Sequence, residues 1–133
     1  MPVHLEHIQL PSNQDQTDLD KIYADAPDWL LAPYANATVL LQDNLPHGHM
    51  VGARFNARLL AAAVVQRDQD RWQVSHLCVR KITRMRGVAR RLLSELQRDA
   101  ARQGASLSMA LPRNRPELED LAGHLGVAWH YLE

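Results

Sequence analysis

Apolar and polar side chains alternate over residues 3–7, and this period of two predicts a first β-strand. Ser12, followed by Asp15 three residues later, is a weak capping pattern that indicates the start of a short helix. Pro27 and Pro33 interrupt the segment that follows. The apolar residues between these two prolines are therefore expected in a broken helix or a loop.

Two apolar runs in the middle of the chain predict a β-hairpin. They span residues 47–55 and 58–66, and only Asn56 and Ala57 separate them. Two residues are enough for a tight turn, and asparagine tolerates the positive φ that such turns require. The second run is apolar on both faces, which is typical of a central strand. Residues 38–45, before the hairpin, fit either a further short helix or an extended lead-in.

The second half of the chain predicts an alternation of strands and helices. Apolar residues at helical spacing from Gly87 onwards predict a long amphipathic helix, and Gly104 stands where such a helix would end. Pro116 suits the first turn of a further helix, which Gly126 would cap. The expected elements are a strand at residues 72–79, the helix from Gly87, a strand at 107–111, a helix at 117–125 and a last strand at 127–132.

The composition is typical of a soluble globular chain. A length of 133 residues fits one domain, over residues 1–133, with a single core. Fifteen basic and fifteen acidic residues cancel, so no overall field attracts nucleic acid or an anionic membrane. The one cysteine, Cys78, excludes an intramolecular disulfide and fits a reducing compartment. Because the sequence shows no secretory signal, no membrane-spanning run and no heptad pattern, a cytoplasmic monomer is expected.

Positive charge is concentrated in one short segment. No acidic residue lies between Asp70 and Glu95, whereas seven of the fifteen basic residues do. The segment contains a strand-to-helix turn whose single glycine, Gly87, would let the backbone approach a ligand closely. The helix N-terminus adds unpaired N–H groups and partial positive charge, and the small Ala89 leaves its first turn open. These features suit a phosphate or diphosphate group.

Two other interpretations of this basic segment compete with a phosphate site. The arginines could form a solvated face while Gly87 is only a turn residue, and charge alone does not decide against that. Nucleic-acid binding is disfavoured, because the net charge is zero and no aromatic residue lies between Val74 and Leu107.

The segment Arg84-Met85-Arg86-Gly87-Val88-Ala89 resembles the coenzyme A signature of the GNAT acetyltransferase superfamily, Arg/Gln-x-x-Gly-x-Gly/Ala. It follows the fourth predicted strand and opens the long helix, as it does in that superfamily. Residues 53–62 and 77–93 resemble, more narrowly, the PanZ/PanM family. The resemblance implies an α/β (α+β) GNAT fold. In that fold a single mixed, mostly antiparallel sheet of about six strands is flanked by helices, and acetyl-CoA lies in a splay between strands four and five.

The resemblance also implies two cofactor-binding segments. The backbone of Leu77, Cys78 and Val79 would pair with the pantetheine arm of acetyl-CoA (or coenzyme A), like an added strand. Backbone N–H groups and nearby arginines would hold the diphosphate. The residues implied for this second role are Thr83, Arg84, Met85, Arg86, Gly87, Val88, Ala89 and Arg90.

In the PanZ/PanM family a small GNAT domain binds acetyl-CoA and acts on aspartate 1-decarboxylase. The resemblance therefore implies a protein that binds this decarboxylase and regulates or matures it in response to acetyl-CoA. Arg54 and Asn56, near the hairpin tip, are candidate contacts, although turn geometry explains Asn56 equally well. The alternative is a catalytic N-acetyltransferase that acts on a small-molecule or protein amine, with residues 27–45 forming the acceptor site.

No catalytic residue is predicted. Many catalytic GNAT enzymes place a tyrosine acid four residues before the glycine that ends the last helix, and here that position is Ala122. His76 is the best candidate base, since its ordinary pKa lies near neutrality, but a packed strand histidine is the favoured interpretation. Cys78 and Tyr131 are expected to be packing residues. Transfer to an amine that arrives neutral would need neither an acid nor a base.

No metal site is expected either. His47 and His49 stand two residues apart, but a pair without a third ligand is a weak signal. A polar loop that enters a strand explains this pair better. The other histidines show no ligand spacing.

Overall fold

Residues 3–81 and 87–132 are described in the computed structural model, where they form one sheet with helices on both faces. The strands are β1 (His4–His7), β2 (Met50–Phe55), β3 (Arg58–Asp68), β4 (Arg71–Val79), β5 (Ser106–Leu111) and β6 (Ala128–Tyr131). The helices are α1 (Asn13–Ala24), α2 (Asp28–Leu31), α3 (Ala37–Asn44), α4 (Val88–Arg102) and α5 (Pro116–Leu125), with a 3₁₀ turn at Leu45–His47. This order confirms the predicted alternation of elements.

The strands follow one another across the sheet in the order β1-β2-β3-β4-β5-β6. The first four strands pair antiparallel, whereas β5 pairs parallel to β4 and β6 parallel to β5. Parallel neighbours need crossover connections, which α4 and α5 supply. The described residues thus form the mixed six-stranded sheet that the resemblance to the GNAT superfamily implied.

The sheet separates two apolar clusters. α4 and α5 cover one face, where Leu92, Leu93 and Leu96 are fully buried. α1, α2 and α3 cover the other face, where Leu19 and Ile22 are fully buried. β3 contributes to both clusters, which explains why its sequence is apolar on both faces. In the described part of the chain, no helix combines the length and the apolar character that crossing a membrane requires.

α1 begins with the capping pattern that the sequence indicated. The Ser12 hydroxyl accepts a hydrogen bond from the Asp15 N–H at 3.0 Å, and the Asp15 carboxylate accepts one from the Ser12 N–H at 3.2 Å. The side chain of Asn36 likewise accepts from the Val39 N–H at 3.0 Å and caps α3. The segment before the hairpin is therefore a helix, and the extended alternative is wrong.

The predicted first strand of the hairpin is wrong at its start. Residues 47–49 lie outside β2, which begins at Met50. Pro46 stands early in the 3₁₀ turn and Gly48 has a φ of 70°, so the chain turns there before it can become extended. The hairpin turn itself is as predicted, since Asn56 has a φ of 55°.

Candidate functional site

β4 and β5 separate part-way along their length. Their parallel pairing runs from Arg71 opposite Ser106 to Val74 opposite Met109 and does not continue beyond Val74. β4 itself extends to Val79. The two strands therefore diverge toward their carboxyl ends and leave the opening that the resemblance implied between strands four and five.

A bulge in β4 accompanies this divergence. Ala62 and Val64 of β3 lie opposite Cys78 and Ser75, so a single β3 residue faces two residues of β4. One of these two is His76, which has a φ of 54°. Such a bulge bends its strand and increases the local twist, which turns the end of β4 away from a regular ladder.

The side chain of His76 is buried and hydrogen-bonded on both sides. Its Nε2 lies 2.8 Å from the carbonyl oxygen of Ala32, and its Nδ1 lies 2.8 Å from the hydroxyl of Ser75. Because a carbonyl only accepts, Nε2–H donates to Ala32 and, in the neutral ring, Nδ1 accepts from Ser75. Burial lowers the pKa of His76, and the hydrogen bond to Ala32 opposes part of that shift. This is the environment of the packed strand histidine that the sequence favoured.

A cleft of about 440 Å³ opens beside the part of β4 that β5 leaves. Its volume falls within the range of about 300–1,000 Å³ that is typical of small-molecule sites. Two segments implied separately by the resemblance line this one cleft: Leu77, Cys78 and Val79 of β4, and Gly87, Val88, Ala89 and Arg90 at the start of α4. The other predicted site residues, Thr83, Arg84, Met85 and Arg86, lie outside the described residues.

The N-terminus of α4 is open at this cleft. Gly87 precedes the helix with a φ of 77°, a conformation that glycine adopts without strain. A Cβ added at Gly87 would meet no described atom within 4 Å. Gly87 offers no side-chain cap, and the first N–H groups of α4 have no acceptor within their own helix. These N–H groups and the partial positive charge of the helix end suit an anion.

A second, smaller cavity continues the splay inward. Its volume is about 30 Å³, less than a tenth of that of the larger cleft. Residues 74–77 of β4 form one wall, and residues 109–112 at the end of β5 form the other. Four side chains line both this inner cavity and the larger cleft: Trp29, Leu30, Leu77 and Leu118.

Sequence reasoning missed the outer walls of the cleft. Trp29 and Leu30 of α2 line it, and so do Glu117, Leu118 and Leu121 of α5. The sequence placed the apolar residues between Pro27 and Pro33 in a broken helix or a loop, and it gave residues 27–45 a role only as the acceptor site of the alternative function. Which surface these residues face depends on contacts between segments that are distant in the chain.

A family model matches nearly the whole chain. The model of the PanZ acetyltransferase (GNAT) domain covers residues 2–124. The chain belongs to the PanZ family. The narrower of the two resemblances found in the sequence is thereby confirmed.

Two relatives of this PanZ-family chain are named PanD regulatory factor. The Escherichia coli K12 protein is 36% identical over 88 residues, which cover 66% of this chain and 61% of the relative. The Salmonella typhimurium LT2 protein is 38% identical over 97 residues, which cover 73% of this chain and 65% of the relative. The matched region thus spans less than two thirds of the length of either relative.

A solved structure resembles the chain in fold and in sequence. It is a putative N-acetyl transferase from Escherichia coli bound to coenzyme A, and it is 29% identical with a TM-score of 0.63. The match covers 95% of this chain and 91% of that protein. The GNAT fold of the PanZ-family chain is therefore supported by both the family model and a solved structure.

In this PanZ-family chain, a buried alanine stands at the position where many catalytic GNAT enzymes have a tyrosine acid. Ala122 is fully buried in α5, and Gly126 ends that helix with a φ of 68°. The Tyr131 hydroxyl donates to the Glu119 carboxylate at 3.3 Å. The Cys78 thiol is buried and donates to a backbone carbonyl of α1 at 3.3 Å. Both side chains thus have local structural contacts.

The remaining polar candidates are the histidine pair, Arg54 and Asn56. The rings of the histidines on either side of Gly48 lie 5.8 Å apart, and the described part of the chain contains no group of three His, Cys, Asp or Glu residues suited to a metal. Arg54 forms ion pairs with Glu6 and Asp15, which tie β2 to β1 and α1. Asn56 is exposed at the hairpin tip.

Proposed function

We propose that the chain binds coenzyme A, as acetyl-CoA, in the cleft between β4, α4 and α5. One observation carries this proposal: the β4 edge beyond the pairing with β5 and the open N-terminus of α4 line the same cleft of about 440 Å³. Membership of the PanZ family supports it, and so does the 29% identical structure, whose protein is bound to coenzyme A.

Each end of the cleft would hold a different part of the cofactor. The N–H groups of Val88, Ala89 and Arg90 would donate to the diphosphate, with Gly87 leaving room for it. Residues 83–86, outside the described residues, keep their predicted role beside the phosphates. The pantetheine would run along residues 77–79 and pair with the β4 backbone where β5 has departed.

Substitution of Gly87 by valine tests the assignment of the turn. Gly87 has a φ of 77°, so a β-branched side chain would strain the backbone and would also occupy the space left for the diphosphate. Calorimetry should show micromolar binding of acetyl-CoA to the wild-type protein, about −8 kcal/mol, and no binding to Gly87→Val.

Gly104→Val is the matched control. Gly104 also has a positive φ, of 74°, and no described atom lies within 4 Å of its added Cβ. It stands at the other end of α4, so valine there would impose similar backbone strain without entering the cleft. Acetyl-CoA affinity that is unchanged in Gly87→Val would contradict the assignment. Equal loss in both variants would trace the effect to strain in α4.

In this proposal, bound acetyl-CoA lets the protein bind aspartate 1-decarboxylase and regulate or mature it. The name of the two relatives, PanD regulatory factor, supports this partner. Purified decarboxylase should be captured by the immobilised wild-type protein only when acetyl-CoA is present, and Gly87→Val should capture none. Capture without acetyl-CoA would contradict the cofactor dependence, and absence of capture under both conditions would contradict the partner.

N-acetyl transfer to an amine is a second candidate function, favoured by the description of the family as an acetyltransferase domain. Residues 27–45 would then form the acceptor site. The buried Ala122 and the two hydrogen bonds of His76 leave this reaction without an evident acid or base in the described residues. Release of free thiol from acetyl-CoA, measured with a panel of amines, separates the candidates. Release that depends on an amine supports transfer, and decarboxylase capture without release supports regulation.

Three further expectations stay predictions from the sequence. They are a cytoplasmic location, a monomeric state and a single domain over residues 1–133. Light scattering with and without acetyl-CoA would test the monomer, and limited proteolysis would test the single domain.

A further inference from the structure

Trp29 stands between the two cavities of the splay. It lines both the cleft of about 440 Å³ and the inner cavity of about 30 Å³. Its indole is the largest of the four side chains shared by the two cavities. The position of Trp29 is therefore one of the features that limit how far a ligand in the cleft can extend into the inner cavity.

Arg115 holds this indole from the other side of the splay. Its guanidinium carbon lies 3.9 Å from the centroid of the Trp29 ring, which is a close cation–π stack. α2, which carries Trp29, packs on β4, whereas Arg115 follows β5 and precedes α5. The stack thus connects α2, on the β4 side of the splay, with the loop between β5 and α5.

The contacts of Arg115 indicate that the stack fixes its position. Its Nε is buried and has no hydrogen-bond partner among the described residues. None of the ion pairs in the described part of the chain involves Arg115. A planar guanidinium stacks on an aromatic face more specifically than a lysine ammonium does. Arg115 and Trp29 therefore hold each other in place beside the cleft that Trp29 lines.

The proposed position of the cofactor puts its acyl end at this stack. With the diphosphate at the N-terminus of α4 and the pantetheine along residues 77–79, the chain of the cofactor runs back along β4 toward Val74. Its thioester then reaches the inner cavity, whose walls are residues 74–77 and 109–112.

We propose that Trp29, held by Arg115, restricts the acyl group of bound coenzyme A to acetyl, an inference that rests on the proposed function. The inner cavity of about 30 Å³ is less than a tenth of the volume of the cleft of about 440 Å³, so it has room for a short acyl group only. A longer acyl chain has to displace the indole and break its stack with Arg115. A pocket of fixed shape typically discriminates by about 10- to 200-fold per methylene.

Calorimetric affinities for coenzyme A, acetyl-CoA and butyryl-CoA test this inference. The wild-type protein should bind butyryl-CoA at least about 100-fold more weakly than acetyl-CoA, because butyryl adds two methylenes at about tenfold or more each. In Trp29→Ala and in Arg115→Gln the ratio of these two affinities should fall to about threefold or less. The acetyl-CoA to butyryl-CoA affinity ratio is compared within each variant, so a general loss of cofactor affinity cannot be mistaken for a loss of acyl selectivity.

Arg113→Gln is the matched control. Arg113 belongs to the same loop and also stacks on an aromatic ring, that of Tyr131 at 4.4 Å, but neither residue lines the cleft or the inner cavity. Its affinity ratio should equal that of the wild-type protein. Circular dichroism verifies folding, and if Trp29→Ala does not fold, Arg115→Gln decides alone.

Two negative outcomes are distinguishable. A wild-type protein that binds acetyl-CoA and butyryl-CoA equally overturns the inference and leaves the proposed function standing, and so does an Arg115→Gln variant that keeps the wild-type ratio. A wild-type protein that binds none of the three ligands overturns the proposed function, and the inference with it.

Discussion

At His76, where φ is positive, we expect the glycine variant to be more stable than the alanine variant, which reverses their usual order in a strand. With glycine at a position in an ordinary strand, a protein is less stable by about 0.5–1 kcal/mol than with alanine there, because glycine loses more conformational freedom on folding. At the φ of 54° found for His76, a residue with a Cβ is strained by roughly 1–2 kcal/mol, and glycine is not. The free energy of unfolding of His76→Gly should therefore be about 1 kcal/mol higher than that of His76→Ala, so the glycine variant is the more stable of the two.

Both variants should be less stable than the wild-type protein. Each loses the two 2.8 Å hydrogen bonds of the ring, to Ser75 and to the Ala32 carbonyl, worth about 1 kcal/mol apiece. Each also loses the edge-to-face contact with Tyr34, whose ring centroid lies 5.2 Å away, worth about 0.5–1.5 kcal/mol. We therefore expect His76→Ala to lower the free energy of unfolding by about 3 kcal/mol.

Urea unfolding followed by circular dichroism measures these differences. His130 provides the control, because it is an exposed residue of β6 without a positive φ. At that position alanine should be nearly neutral, and glycine should be the less stable of the two by about 0.5–1 kcal/mol. If His76→Gly is less stable than His76→Ala by the same margin as at His130, the strained bulge does not exist in solution.

Two further predictions concern buried ionisable groups. Because burial lowers the pKa of His76 below its ordinary value near 6.5, the unfolded chain takes up its proton more readily than the folded one. The free energy of unfolding should therefore be highest above about pH 6.5 and should decrease as the pH falls below that value. Urea titrations at several pH values would show this dependence in the wild-type protein and its loss in His76→Ala. Burial raises the pKa of Asp18, but hydrogen bonds from Arg58 and from the Leu59 N–H outweigh it and lower that pKa overall. Asp18→Ala should cost about 2 kcal/mol, since the buried Leu59 N–H loses its acceptor, while Asp20→Ala on the exposed side of α1 should change stability by less than about 0.5 kcal/mol.

The helix that carries the proposed diphosphate site was predictable because its evidence is local. Val88, Leu92, Leu96 and Ala100 recur at helical spacing, and all four are buried on one face of α4. The strand-to-helix turn was indicated by Gly87, a residue type that adopts the positive φ found there without strain. Neighbours in the sequence determine both features, so no knowledge of the rest of the chain was needed.

The walls of the cleft were not predictable, because they depend on segments that meet only in the folded chain. Trp29 and Arg115 stack although 85 intervening residues separate them in the sequence. The bulge at His76 leaves no sequence signal, since a histidine within an apolar run is compatible with a regular strand. The start of β2 was missed for a different reason: the apolar pattern of residues 47–55 outweighed the local effect of Pro46 and the positive φ of Gly48.

The opening between β4 and β5 depends on contacts that lie on the α1 side of the sheet. The bulge takes the backbone of His76 out of the regular ladder, and the Tyr23 hydroxyl of α1 donates to the His76 carbonyl at 2.8 Å. Burial raises the pKa of Tyr23 well above its usual value, so this hydroxyl keeps its proton and remains a donor. A buried carbonyl without a partner would cost about 1–3 kcal/mol, and a regular ladder would then be favoured over the bulge. Because the bulge bends β4 where β5 departs, α1 stabilises the cleft from the other face without touching the ligand that we propose for it.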